Sequence, residues 1–270
     1  MPATDLAPPL KQAGDVAYRE TGDARRPAIV FLHGLGAHSV AYRAQLAELS
    51  DRFRVIAWDA PGYGGSRKLP EAVPGSDAYA GALARLLKSL GVESAHVVGS
   101  SWGSIIATRF AHDYPTQTRS LILSGPTTGF ARVPQGEREL LLNARLDAIR
   151  TAGPIAFAAQ GVPRLVAANA GAEVRAFAAA FGEGLRVDGF EQAARMLFAT
   201  DQRDAIGAVK APILIVAGTE DKVAPMADHA ETLAAAALNA RLVQLSGCGH
   251  LPELEAPARL NQAIREFTGN

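Results

Sequence analysis

The feature that most restricts how this chain can fold is a recurrence of short, continuous apolar runs that stop at turn residues and alternate with stretches of helical spacing. Residues 28–32 stop at His33-Gly34, residues 53–58 at Asp59-Ala60-Pro61-Gly62, and residues 95–98 at Gly99. Residues 120–123 stop at Ser124-Gly125-Pro126, and residues 212–216 at Ala217-Gly218. A run with no polar alternation needs cover on both faces, so these segments predict buried parallel strands with helices on both sides of one sheet. The spacing predicts helices over residues 40–49, 78–90, 102–112, 226–237 and 256–267. Ala17-Tyr18-Arg19 alternates more weakly and suits an antiparallel edge, and residues 240–245 form a further apolar run.

The alternation breaks between about residues 127 and 202. Amphipathic helical patterns remain there, over 137–150, 174–181 and 190–198, and they are interrupted at Gly153-Pro154, Gly161-Val162-Pro163 and Gly182-Glu183-Gly184. The chain therefore divides into a core of residues 1–126 and 207–270 and a helical insertion of residues 127–206, with no second domain expected. At 270 residues and 48% hydrophobic content the chain is long enough for one large α/β domain. The 27 basic and 27 acidic side chains cancel, which removes the electrostatic footprint expected of a nucleic-acid or anionic-membrane partner. Residues 1–20 lack a basic segment followed by an apolar one, so no secretion signal is expected and the cytoplasm is the expected location. Cys248, alone, can form neither an intramolecular disulfide nor a thiolate metal site, and reads as a packing residue. His38, His96, His112 and His229 share no metal-ligand spacing, so no metal is expected.

Chemistry concentrates where the predicted strands end. Gly99-Ser100-Ser101-Trp102-Gly103 has the G-x-S-x-G spacing between a strand and a helix, and only Ser101 has glycine at both minus two and plus two. A sharp turn of this kind lifts the central side chain above the sheet edge, which suits a nucleophile. A serine hydroxyl needs a base, and the base needs a partner that fixes its tautomer. His250, flanked by Gly249 and Leu251 after the run 240–245, falls at the same carboxyl edge. Asp221 follows the strand 212–216 at that edge, and the adjacent Glu220 is an alternative, since only one of two neighbours points inward. The order Ser101, Asp221, His250 is that of a triad on an α/β sheet. In His33-Gly34-Leu35-Gly36 the glycines let the Leu35 N–H face the space above Ser101, where it would pair with the Trp102 N–H as a two-donor oxyanion hole.

In these motifs, together with Asp59-Ala60-Pro61-Gly62-Tyr63-Gly64-Gly65-Ser66, Gly218-Thr219-Glu220-Asp221 and Gly249-His250-Leu251-Pro252, the chain resembles the α/β-hydrolase fold superfamily over nearly its whole length. The resemblance implies a mostly parallel eight-stranded sheet with a helical cap inserted after the sixth strand. It also implies Ser101, Asp221 and His250 as catalytic residues, with Leu35 and Trp102 as oxyanion donors and no cofactor. Two positions depart from the family pattern: Ser104 stands where a glycine is common, and Trp102 is bulkier than the usual residue.

The expected function is a cofactor-independent serine hydrolase that forms an acyl-enzyme with a small carboxylic ester or lactone. Carbon–carbon hydrolysis of meta-cleavage-type dienoates, perhydrolysis, and slow-turnover ligand reception on the same fold are the alternatives. The dienoate reading requires an insertion arginine, from among Arg132, Arg138, Arg145 and Arg164, to meet a substrate carboxylate. Trp102 and the apolar insertion helices suggest an apolar acyl or alcohol pocket.

Overall fold

The computed structural model describes residues 7–269; the first six residues of the stretch read for a secretion signal lie outside it. Eight strands form one sheet: β1 (Lys11–Ala13), β2 (Val16–Thr21), β3 (Ala28–Leu32), β4 (Arg54–Trp58), β5 (Ala95–Ser100), β6 (Thr118–Ser124), β7 (Ile213–Gly218) and β8 (Ala240–Leu245). Their order across the sheet is β1-β2-β4-β3-β5-β6-β7-β8, antiparallel at β1–β2 and β2–β4 and parallel elsewhere. β1, with the sequence Lys-Gln-Ala and two exposed residues, carries no apolar pattern and escapes sequence reading.

Side-chain alternation along the strands sorts residues into two layers. On β3, Val30 and Leu32 face the side covered by helices α2 (Ser76–Ser89) and α3 (Trp102–Asp113), while Ile29 and Phe31 face α1 (Arg43–Glu48) and the carboxyl-terminal α10 (Pro257–Thr268). These strands are apolar without interruption because each side chain meets one of these two cores. The predicted helix over 226–237 forms as a π-helical turn, Ala227–Glu231, followed by the short α8 (Thr232–Ala236).

Between β6 and β7 the chain forms α4 (Gln135–Leu165), α5 (Ala172–Ala179), α6 (Val187–Ala199) and α7 (Arg203–Gly207). α4 breaks only at Gly153, whose φ of 76° leaves the helical region. The expected interruption at Gly161-Val162-Pro163 does not occur. Pro163 lies inside the last turn, where it removes one N–H donor to the preceding turn without ending the helix before Leu165. The apolar residues of these helices join the sheet's own layers: Leu146, Ile149, Phe190 and Met196 on one side, Val162, Phe177 and Phe181 on the other. Arg186 of the preceding turn donates to Gly62 O at 3.2 Å, and Gln192 of α6 to Leu69 O at 3.0 Å, which seats the helices on the loop after β4. No helix among the described residues is long and apolar enough to cross a membrane.

Packing is close where α3 crosses β3. A Cβ added to Gly103 would lie 2.3 Å from Leu32 O and 2.6 Å from His33 O, both backbone atoms. Gly103→Ala is expected to lower the unfolding free energy by about 3 kcal/mol through overpacking that backbone cannot relieve. Urea denaturation of the variant beside wild type measures it; an unchanged midpoint would contradict the close approach.

Candidate active site

Ser101 follows the last residue of β5 and caps α3 with φ 49° and ψ −116°. It is the one non-glycine residue with positive φ among the described residues, a conformation that costs on the order of 1–3 kcal/mol. The turn persists because its surroundings over-determine it. The Ser101 N–H donates to Ser124 O at 3.0 Å on the neighbouring strand, and the Ser104 hydroxyl donates to Ser101 O. Ser104 in turn accepts from Gln202 Nε2 at 3.0 Å, so the departure from glycine at 104 adds a buried polar tie between α3 and the α7 end of the helical stretch.

His250 and Asp221 meet Ser101 at this edge of the sheet. The Ser101 Oγ lies 2.8 Å from His250 Nε2, and His250 Nδ1 lies 2.7 Å from Asp221 Oδ2. Asp221 Oδ1 accepts the N–H groups of Val223 and Ala224, each at 2.8 Å. With three donors on the carboxylate, Nδ1 carries the proton it donates and Nε2 is left as the acceptor for the serine hydroxyl. The alternative acid, Glu220, forms no side-chain hydrogen bond among the described residues; it contributes its N–H to Cys248 O at 2.9 Å. Among the described residues Asp221 is therefore the carboxylate hydrogen-bonded to His250.

The loop after β3 crosses directly above the serine. A Cβ on Gly34 would come 3.3 Å from Ser101 Cβ, so glycine lets the backbone pass close above the serine. His33 holds this loop: its Nε2 accepts the Ala60 N–H at 2.9 Å, which places the ring proton on Nδ1, 2.9 Å from Gly34 O. Burial keeps His33 neutral by pushing its pKa down to about 4. Asp59 organises the next loop, accepting Ser39 N–H at 2.9 Å and Gly65 N–H at 3.0 Å. The Trp102 N–H opens α3 and so has no partner in a preceding helical turn. The Leu35 and Trp102 amides thus lie on the two segments that bracket Ser101. The Trp102 ring, however, is fully buried against Tyr79, 5.0 Å between centroids, and Tyr63, 5.7 Å. The expectation that it walls an apolar pocket is corrected: the helix start turns the ring inward, toward the α2 side of the core.

Several residues that no motif singled out surround the base. Glu255 accepts the N–H groups of Gly249 at 3.0 Å, Leu251 at 3.2 Å and Ala167 at 2.8 Å. The His250 N–H donates to Leu165 O at 2.8 Å. The end of α4 and the segment after it therefore hold the backbone on both sides of His250. His229 Nδ1 accepts the Thr128 N–H at 3.1 Å and ties the chain leaving β6 to the turn after Asp221. Glu253, 2% exposed, is pushed by burial up to about 7. Cys248, buried, is pushed up to about 12, also chiefly by burial, which suits packing rather than thiolate chemistry. A cleft of about 360 Å³ between α2, α3 and α6 is lined by Ile105 and Gln202 and by none of Ser101, Asp221 or His250.

A mostly parallel sheet flanked by helices, with Ser101, His250 and Asp221 hydrogen-bonded at its carboxyl edge, is an α/β fold. The chain belongs to the alpha/beta hydrolase family, whose model matches residues 29–263. It is 33% identical to an uncharacterised protein of Mycobacterium tuberculosis, over 98% of this chain and 83% of that one. It is 30% identical to a 2-hydroxy-6-oxononadienedioate/2-hydroxy-6-oxononatrienedioate hydrolase of Burkholderia vietnamiensis, over 93% of this chain and 90% of that one. A malate-bound thermophilic esterase of Thermogutta terrifontis superposes with a TM-score of 0.84 at 29% identity, covering 93% and 92% of the two chains.

The raised pKa of Glu253 sets a pH dependence of stability. Below the ordinary carboxyl value of 4.5 both folded and unfolded states hold the proton. Between 4.5 and about 7 the unfolded chain releases it and the folded chain does not, so stability falls as pH rises through that window and levels off above it. Glu253→Gln removes the penalty. Its unfolding free energy is expected to exceed that of wild type by up to about 3 kcal/mol more at pH 8 than at pH 4. Denaturant titrations at the two pH values read the difference, and an equal gap at both would refute it.

Proposed function

We propose that the protein is a cofactor-independent serine hydrolase that cleaves small carboxylic esters or lactones through an acyl-enzyme. The observation that carries this reading is the continuous hydrogen-bonded chain Ser101–His250–Asp221, at 2.8 and 2.7 Å, on a serine held in a strained turn. In this mechanism His250 Nε2 takes the Ser101 hydroxyl proton as Oγ attacks the carbonyl carbon. The Leu35 and Trp102 N–H groups receive the developing oxyanion, an interaction worth about 3–4 kcal/mol for a good donor. The imidazolium, stabilised by Asp221, protonates the departing alkoxide. The neutral imidazole so regenerated then deprotonates water for attack on the acyl-serine, and the imidazolium returns that proton to Ser101 Oγ as the acid leaves. The helical stretch 127–206 serves as a cap over this edge.

The test is multiple-turnover hydrolysis of p-nitrophenyl esters of increasing acyl length. Ser101→Ala and His250→Ala are each expected to lower kcat by about 10³-fold or more while the proteins stay folded. Undiminished turnover in either variant overturns the assignment, and a single stoichiometric burst by wild type would make the protein a ligand receptor instead.

One observation favours carbon–carbon hydrolysis of a carboxylate-bearing dienone as the second reading. Among the four insertion arginines, Arg132 pairs with Asp201 and Asp204, and Arg138 donates to Ala131 O at 2.8 Å. Arg145 has no hydrogen-bonded or ion-paired partner among the described residues, although burial and the neighbouring Arg164 both lower its pKa. A half-buried guanidinium over the Phe198 ring, 5.8 Å from its centroid and without an anion, is suited to a substrate carboxylate. The Burkholderia relative is named for dienedioate substrates, which supports the same chemistry. Arg145→Gln is expected to raise KM about tenfold for a dienedioate substrate and to leave KM for p-nitrophenyl butyrate unchanged. Equal KM values for the dienedioate in variant and wild type would remove Arg145 from substrate binding.

A further inference from the structure

Glu253 lies three residues beyond His250, in the one-turn helix α9 (Pro252–Glu255), and the mechanism does not use it. Its Oε1 accepts the Ser100 hydroxyl at 3.0 Å, and Ser100, fully buried, is the residue immediately before Ser101. Its Oε2 has no hydrogen-bond partner. The titratable groups that face it are His250, Glu255, the Cys248 thiol and, through Ser100, the Tyr42 hydroxyl, which donates to Leu32 O at 2.9 Å. No lysine or arginine pairs with it among the described residues. A carboxylate with one hydroxyl donor and no cation would be a bare buried charge, so the neutral acid is the form this setting tolerates.

The bond joins the two halves of the site behind the reacting atoms. Ser100 ends the strand that presents Ser101, and Glu253 begins the helix that follows the loop presenting His250. Proton transfer requires Nε2 to stay within hydrogen-bond reach of Oγ. A displacement of about 1 Å can cost on the order of 10²-fold in rate. Glu255 and Leu165 fix the His250 loop to the helical stretch, whereas the Ser100–Glu253 bond fixes it to the strand of the nucleophile.

We propose that Glu253 is a positioning residue that, through the Ser100 hydroxyl, sets the depth of the His250 loop against the Ser101 turn. It touches no reacting atom and acts only through the two backbones. As the neutral acid it adds no second anion near the imidazole, whose Nδ1 meets Asp221. This role rests on the reading of Ser101 and His250 as nucleophile and base.

The experiment compares Glu253→Gln, Glu253→Leu, Ser100→Ala, the double variant Ser100→Ala/Glu253→Leu and Ser101→Ala in full-length protein, with p-nitrophenyl butyrate at pH 6.5. Glutamine keeps the shape and an acceptor for the Ser100 hydroxyl, so its kcat is expected within about threefold of wild type. Glu253→Leu and Ser100→Ala are each expected to lose about tenfold or more in kcat with KM within about twofold. The double variant is expected to be no slower than the slower single, because both remove one bond. Wild-type kcat in Ser100→Ala, which stays decisive should Glu253→Leu fail to fold, would overturn the proposal. So would losses that multiply in the double variant, or a rise in KM at constant kcat. Turnover surviving in Ser101→Ala would instead sink the underlying serine-hydrolase reading.

Discussion

The structure depends on how closely α3 approaches the end of β3. Glycine at 103 lets the helix backbone rest on the Leu32 and His33 carbonyls, and glycine at 99 leaves room for Gly103 O, which an added Cβ would meet at 2.4 Å. With the helix pressed this near to the sheet, no relaxed path connects β5 to α3. The joining residue is driven to positive φ, and Ser101 is that residue. The same squeeze lifts the hydroxyl above the sheet edge and brings the Gly34 backbone across it. It also turns the Trp102 ring into the core. Strain at one serine is therefore the local consequence of a packing distance, offset by bonds from Ser101 N–H to β6 and from Ser104 to Ser101 O.

His250 is held differently. His250 lies on a loop rather than at the end of a packed helix, and its backbone is fixed by polar groups from three directions. Leu165 O takes its N–H, Glu255 takes the N–H groups on either side, and Ala167 donates to the same carboxylate. Two of these contacts come from the segment that closes α4. The helical stretch between β6 and β7 thus contributes to the site before any substrate arrives: it completes the hydrogen bonding of a loop that would otherwise leave buried N–H groups unpaired.

Much of this was legible in the sequence where periodicity and turn residues carry it. The central strands were readable because they are apolar on both faces, and the Ser101 turn because glycines flank it at fixed spacing. Legibility failed where tertiary contact overrides local pattern. β1 has no apolar signal because an exposed edge strand needs none. Pro163 reads as a break, but α4 continues through it to Leu165. Trp102 reads as a pocket wall because a large ring next to a nucleophile suggests one, and only the direction of the α3 start sends it inward. Glu253 and Glu255 look alike in sequence, two acids in the first turn of a short helix. One faces three backbone donors and the other a single hydroxyl, a difference set by Ala167 and Ser100, residues far away along the chain.

The contrast between the buried carboxyl groups gives the site its electrostatic logic. Asp221 and Glu253 both lie within reach of the imidazole and both are sealed from water. Asp221 has two backbone N–H groups besides His250, so its charge is solvated by the protein. Glu253 has one hydroxyl and an unpartnered oxygen, so burial opposes its ionisation. Two anions beside one imidazole would bind its proton more tightly and leave less free base for the serine. By giving donors to one carboxyl group and withholding them from the other, the fold confines the negative charge to the Nδ1 side of His250. The Nε2 side, facing Ser101, keeps its lone pair.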